Sequence, residues 1–133
     1  RLIKELQAEL GTSVLFITHD LGVIAQMADE VAVMYLGRIV EQGSVRAVLK
    51  APLHPYTQAL LRSLPGLSDT RQRLASIEGT VPNLREIPPG CPFHPRCEAF
   101  EAGLCNVGAA PDLEELALDH RVACVRAKEV NAL

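Results

Sequence analysis

The sequence predicts an α/β architecture followed by a small, irregular, cysteine-containing module. Three observations carry that expectation. An apolar run over residues 14–17 ends in Thr18-His19-Asp20 and gives way to a helical pattern. Residues 29–43 then read as strand, tight glycine turn, strand. All four cysteines lie between residues 91 and 124, and none in the first 90. The 133 residues, 48% of them apolar, suffice for one domain or parts of two and for a buried core. No apolar stretch approaches the length of a membrane span. The net charge of -3 and the scattered basic residues give no electrostatic footprint for nucleic acid, so no nucleic-acid partner is expected.

Taken in order, Leu2, Leu6 and Leu10 share one face of a helix that Gly11 stops. Residues 14–17 have the length and the β-branched or aromatic character of a buried strand. Asp20 opens a second helix, with Leu21, Ile24, Ala25 and Ala28 on one face. His19 therefore stands where a central strand leaves its sheet. Ligands gather at the carboxyl ends of strands in open α/β sheets, and an imidazole there reaches a bound phosphate. The ordinary alternative is a loop or cap residue.

After the hairpin, Ser44 caps a short helix that turns Val45, Val48 and Leu49 inward. Pro55 suits the first turn of the next helix, with Tyr56, Ala59, Leu60 and Leu64 on one side and Pro65-Gly66 at its end. His54 falls at that helix start, where capping is the usual role, and Tyr56 is a packing aromatic. Residues 67–73 form a polar linker. Residues 74–81 read as a strand. Residues 82–90 hold three prolines and are irregular. Beyond them only a sparse helical pattern appears, Leu113, Leu116 and Ala117 after Pro111.

Cys91, Cys97, Cys105 and Cys124 are spaced C-x5-C-x7-C-x18-C. Structural zinc takes four thiolates in a tetrahedron, although the close C-x2-4-C knuckles of zinc modules are absent. His94 and His120 are further donors. A four-iron four-sulfur (4Fe-4S) cluster also takes four thiolates and tolerates irregular spacing. Pro92 stiffens the turn at Cys91, and Arg96, Arg121 and Arg126 are near in sequence to offset a cluster's negative charge. On spacing alone, cluster and zinc stand near parity.

Residues 16–43, FITHDLGVIAQMADEVAVMYLGRIVEQG, resemble the end of an ABC-transporter ATP-binding domain. HPYTQALLRSLP (residues 54–65) and GCPFHPRC (residues 90–97) resemble the C-terminal extension of the oligopeptide/dipeptide and nickel importer branch. The resemblance covers nearly the whole chain. It implies the C-terminal part of an ABC-type P-loop ATPase domain over residues 1–66 and the branch's four-cysteine extension over 67–133. It implies that His19 is the switch histidine, contacting the γ-phosphate of Mg-bound ATP. It also implies a 4Fe-4S site on Cys91, Cys97, Cys105 and Cys124, with zinc as the alternative. Disulfides do not suit the reducing compartment of such a subunit.

The implied partners are a second ATP-binding subunit, transmembrane permease subunits and, indirectly, a substrate-binding protein. The implied location is peripheral, on the cytoplasmic face of the plasma (inner) membrane. No G-x-x-x-x-G-K-[ST] phosphate loop, Leu-Ser-Gly-Gly signature or acidic Walker-B strand occurs in these residues. In the family all of these lie upstream, as does the catalytic Glu. The expectation is therefore a C-terminal piece of a longer ATPase, inactive alone. The contrasting expectation is a metal-stapled docking or regulatory module without ATPase activity.

Overall fold

The computed structural model describes residues 2–64 and 76–131. Helix α1 (Leu2–Leu10) ends at Gly11, whose positive φ of 61° suits a glycine stop. Helix α2 (Leu21–Met27) is capped by Asp20, whose carboxylate accepts from the N–H groups of Gly22 and Val23. Strands β1 (Glu30–Tyr35) and β2 (Arg38–Ser44) form the expected antiparallel hairpin. Leu36 and Gly37, at φ 46° and 76°, supply the two left-handed residues of its tight turn. Ser44 caps α3 (Val45–Lys50), and Pro55 begins α4 (Pro55–Arg62).

The later part of the chain returns to this hairpin. Strands β3 (Glu114–Ala117) and β4 (His120–Val122) complete a four-stranded antiparallel sheet in the order β1-β2-β4-β3. A last short helix, α5 (Ala127–Val130), follows. The main core joins Val33, Tyr35, Val40 and Val48 to Cys91 and Phe93. Phe93 is 1% exposed, and its ring lies 5.3 Å from that of Tyr35 and 5.2 Å from that of Tyr56. The aromatic of the cysteine segment thus fills the space between hairpin and α4. A smaller cluster of Leu53, Val122 and Ala127 lies under Cys124.

Three expectations are corrected. Residues 14–17 form no strand: Leu15 and Ile17 are 87% and 93% exposed. A central strand exists only through ladders to neighbours, and none of the described residues pairs with this run. Residues 76–81 are irregular rather than a strand, while 74 and 75, the linker at 67–73 and the Pro65-Gly66 helix end lie outside the described residues. The helical pattern after Pro111 is instead strand β3, because pairing with β4 satisfies its backbone. Among the described residues no helix is long and apolar enough to cross a membrane.

Candidate functional site

Four short segments bring the cysteines together. Gly90 adopts φ 71°, and its Cβ, had it one, would lie 2.4 Å from the Cys105 carbonyl oxygen. Only glycine admits that approach. It allows Gly90 N–H to donate to Gly108 and Cys91 N–H to Cys105, both at 2.9 Å. A single 3-10 turn (His94–Arg96) then carries the chain to Cys97. Cys105 closes a turn by donating its N–H to Glu101 at 2.9 Å. Cys124 follows β4 and accepts the N–H of Ala127 on its carbonyl.

All four side chains line one small cavity of about 10 Å³, with His54, His94 and Arg126. Cys91 and Cys105 are buried, and Cys97 and Cys124 are half-buried. Burial pushes the Cys91 and Cys97 thiols up, and that of Cys124 up to about 11. In each case the neighbouring sulfurs add to the shift. These three are neutral thiols at pH 7, unlike the low-pKa thiolate of a reactive cysteine. A bound cation reverses the balance, because ligation favours the thiolate. Among the described residues no group of three or more His, Cys, Asp or Glu side chains is arranged to hold a metal ion. The four thiols are soft donors that line one small cavity, but among the described residues they are not arranged as a metal site.

Of the three arginines expected near the site, only Arg126 lines the cavity. Its guanidinium bonds the Ala99 carbonyl at 2.8 Å and pairs with Glu101 and Glu129 at 3.1 and 3.0 Å. Arg96 instead donates to the carbonyls of Ile77 and Glu78, and Arg121 is exposed on β4. His120 is not a spare donor for the cysteines either. Its Nε2 lies 2.7 Å from Glu41 Oε1, and both side chains are buried.

Glu41 is a residue that sequence reasoning missed. It is 0% exposed, and it accepts from Leu53 N–H at 2.7 Å and His54 N–H at 3.0 Å besides its contact with His120. A bulge explains its burial. Val33 faces Glu41 and Met34 faces Ile39, so Val40 has no opposite residue. Val40 and Glu41 are consequently buried in succession, where a regular strand would alternate. Gly43 leaves room for His120, whose Cδ2 would lie 3.2 Å from an added Cβ.

His54 caps α4 as expected, its Nδ1 accepting from Tyr56 N–H at 3.0 Å. Tyr56 packs as an aromatic, 4.8 Å from the ring of Tyr35. Burial lowers the His54 pKa to about 4, opposed by the Ala123 carbonyl. Its Nε2 is buried and makes no hydrogen bond of good geometry among the described residues. His19 is exposed and immediately precedes the Asp20 cap. The structure thus gives the helical half of its expected setting and not the strand half.

Residues 40–105 match the family model described as the oligopeptide/dipeptide transporter, C-terminal region. The chain is 44% identical over 137 residues to a Brucella melitensis protein named, provisionally, for peptide import and ATP binding. That match covers 98% of this chain and 40% of the relative. The oligopeptide transport ATP-binding protein OppD of Salmonella typhimurium is 43% identical over 129 residues, 96% of this chain and 37% of its own length. OppD of Escherichia coli matches at the same identity and coverage. The chain belongs to the oligopeptide/dipeptide transporter family of ABC ATP-binding proteins. It spans 37–40% of the length of these relatives.

Proposed function

We propose that the chain serves as the C-terminal part of the ATP-hydrolysing subunit of a peptide importer. In this reading His19 senses the γ-phosphate, and Cys91, Cys97, Cys105 and Cys124 hold a 4Fe-4S cluster. The observation that supports it is the convergence of four thiols on one cavity, three of them (Cys91, Cys97 and Cys105) from the residues that match the transporter family's C-terminal region. When bound, the cluster supplies four covalent tethers to a region whose own core is small. The chain's residues do the rest. Phe93 anchors the cysteine segment in the hairpin core, and Gly90 sets Cys91 against Cys105. His19, exposed beside a helix start, is free to present a ring N–H to a phosphate oxygen. The rest of the ATP site, a second ATP-binding subunit, the permease and a substrate-binding protein lie in other residues and other chains.

The test uses the full-length protein. His19→Ala is expected to leave ATP binding largely intact and to slow hydrolysis roughly 100- to 1000-fold, as loss of one well-placed polar group at a transition state does. The same preparation, purified anaerobically, is expected to carry iron and acid-labile sulfide that any Cys→Ser change at the four positions removes. Unchanged turnover in His19→Ala returns that residue to a loop role. Tight zinc without sulfide establishes the zinc alternative. A metal-free protein with a protease-resistant tail defeats both metal readings.

A further inference from the structure

We propose that Cys124 is a detachable member of the cysteine cavity. The buried contact between Glu41 and His120 latches it in place, and release of that latch withdraws this one thiol while Cys91, Cys97 and Cys105 stay together. The inference concerns the thiols alone and requires no metal.

Three observations carry it. First, the thiols that line the cavity come from two different hydrophobic cores. Cys91 and Cys97 pack in the main core with Phe93, whereas Cys124 packs against Leu53, Val122 and Ala127. Second, the other three thiols are joined by bonds within their own segment. Gly90 N–H donates to Gly108, Cys91 N–H to Cys105, Cys97 N–H to His94 and Cys105 N–H to Glu101. None of these bonds needs a residue beyond 108. Arg126 spans the seam, to the Ala99 carbonyl and to the exposed Glu101 carboxylate. Third, Cys124 arrives through β4, and β4 is held by a short ladder. Three residue pairs join it to β2, where six join β1 to β2. Ala123 N–H extends the ladder by one bond to Val40, at 2.8 Å. On so short a ladder one buried side-chain contact weighs heavily. The His120 ring is the third partner of Glu41, which already accepts the Leu53 and His54 N–H groups. Gly43, opposite His120, leaves room for that ring, and the Ala123 carbonyl faces the ring of His54. Breaking such a buried contact from one side is costly, so the seam stays shut while His120 is present. Without it, the smaller core and its ladder can part from the rest as a local opening.

Two variants separate a latch from general stability. His120→Leu fills the space without a donor, and His120→Gln restores an N–H near the position of Nε2. Full-length protein is first assayed for metal, which reports separately on the cluster reading, and is then stripped of any metal under reducing, anaerobic conditions. It is alkylated with iodoacetamide, and the rate at each cysteine is read by peptide mass spectrometry. In the Leu variant Cys124 should react roughly tenfold or more faster than in wild type, as when a buried hydrogen bond no longer opposes a local opening. Cys91, Cys97 and Cys105 should keep their wild-type rates, and the Gln variant should stay near wild type throughout. A general loss of stability would speed all four thiols together. That result overturns the proposal, as do an unchanged Cys124 rate, equal rates in the Leu and Gln variants, or uniformly fast alkylation of stripped wild type. Should the Leu variant fail to fold, amide exchange in the wild-type protein decides. The Ala123 N–H, on the seam, should exchange faster than the Cys91 N–H, which is bonded within its own segment. Exchange of both amides in one opening rejects the latch.

Discussion

A buried carboxylate that holds two main-chain N–H groups and an imidazole leaves all three stranded when it is removed. Glu41→Ala is therefore expected to destabilise the protein by about 3–5 kcal/mol, the range for breaking a buried pair from one side. Glu41→Gln keeps one acceptor oxygen and should fall between. Denaturant midpoints of the full-length proteins measure both. His54 makes a second prediction at this scale. Its folded pKa of about 4 lies below the ordinary 6.5, so the unfolded chain takes up a proton that the folded one refuses. Its contribution is fully present above pH 6.5 and is lost as the pH falls toward 4, about 3 kcal/mol in all. Urea midpoints at pH 7 and pH 4.5 should converge in His54→Gln relative to wild type. Equal pH sensitivity in the two proteins would contradict this.

Among elements, the turn at Gly90 is the one on which the cysteine site depends. An added methyl group would run into the Cys105 carbonyl and come 2.9 Å from Val107 N. Gly90→Ala is thus expected to part Cys91 from Cys105 and to lower the metal content of the purified protein, while the β1–β2 hairpin persists. Metal assays with far-ultraviolet circular dichroism check both halves. The same scale shows which parts of the fold were legible. Asp20, Ser44 and His54 as caps, Gly11 as a stop and Gly37 as a turn were readable because each acts on backbone within a few residues. The strand expected at 14–17 and the helix expected at 113–117 were misread because ladders join distant segments, and no local pattern states the partner. Glu41 was unreadable for the same reason, since His120 is 79 positions away and the bulge that buries Glu41 has no turn residue to announce it. The cysteines were legible as a set because of their confinement to one region. Their route to a common cavity, through Phe93 and Gly90, was not.

For the molecule as a whole, the 133-residue chain on its own is expected to release no phosphate from ATP, since it lacks the loop of N–H groups and Lys that cradles phosphates. Leu2, Leu10, Leu15 and Ile17 are 67%, 68%, 87% and 93% exposed. The isolated chain should accordingly bind a hydrophobic dye that the full-length protein binds far less. Sustained turnover after removal of contaminating ATPases would contradict the first expectation, and equal dye binding the second. The distance between Glu41 and His120 also bears on biosynthesis. Chains emerge from the ribosome N-terminus first, at roughly 5–20 residues per second. The β1–β2 hairpin therefore leaves the ribosome several seconds before β4, with one edge of β2 unpaired and Glu41 still without its imidazole. During that interval the nascent hairpin is open to pairing with another chain, and a ribosome stalled before residue 120 would release a product that cannot close its sheet.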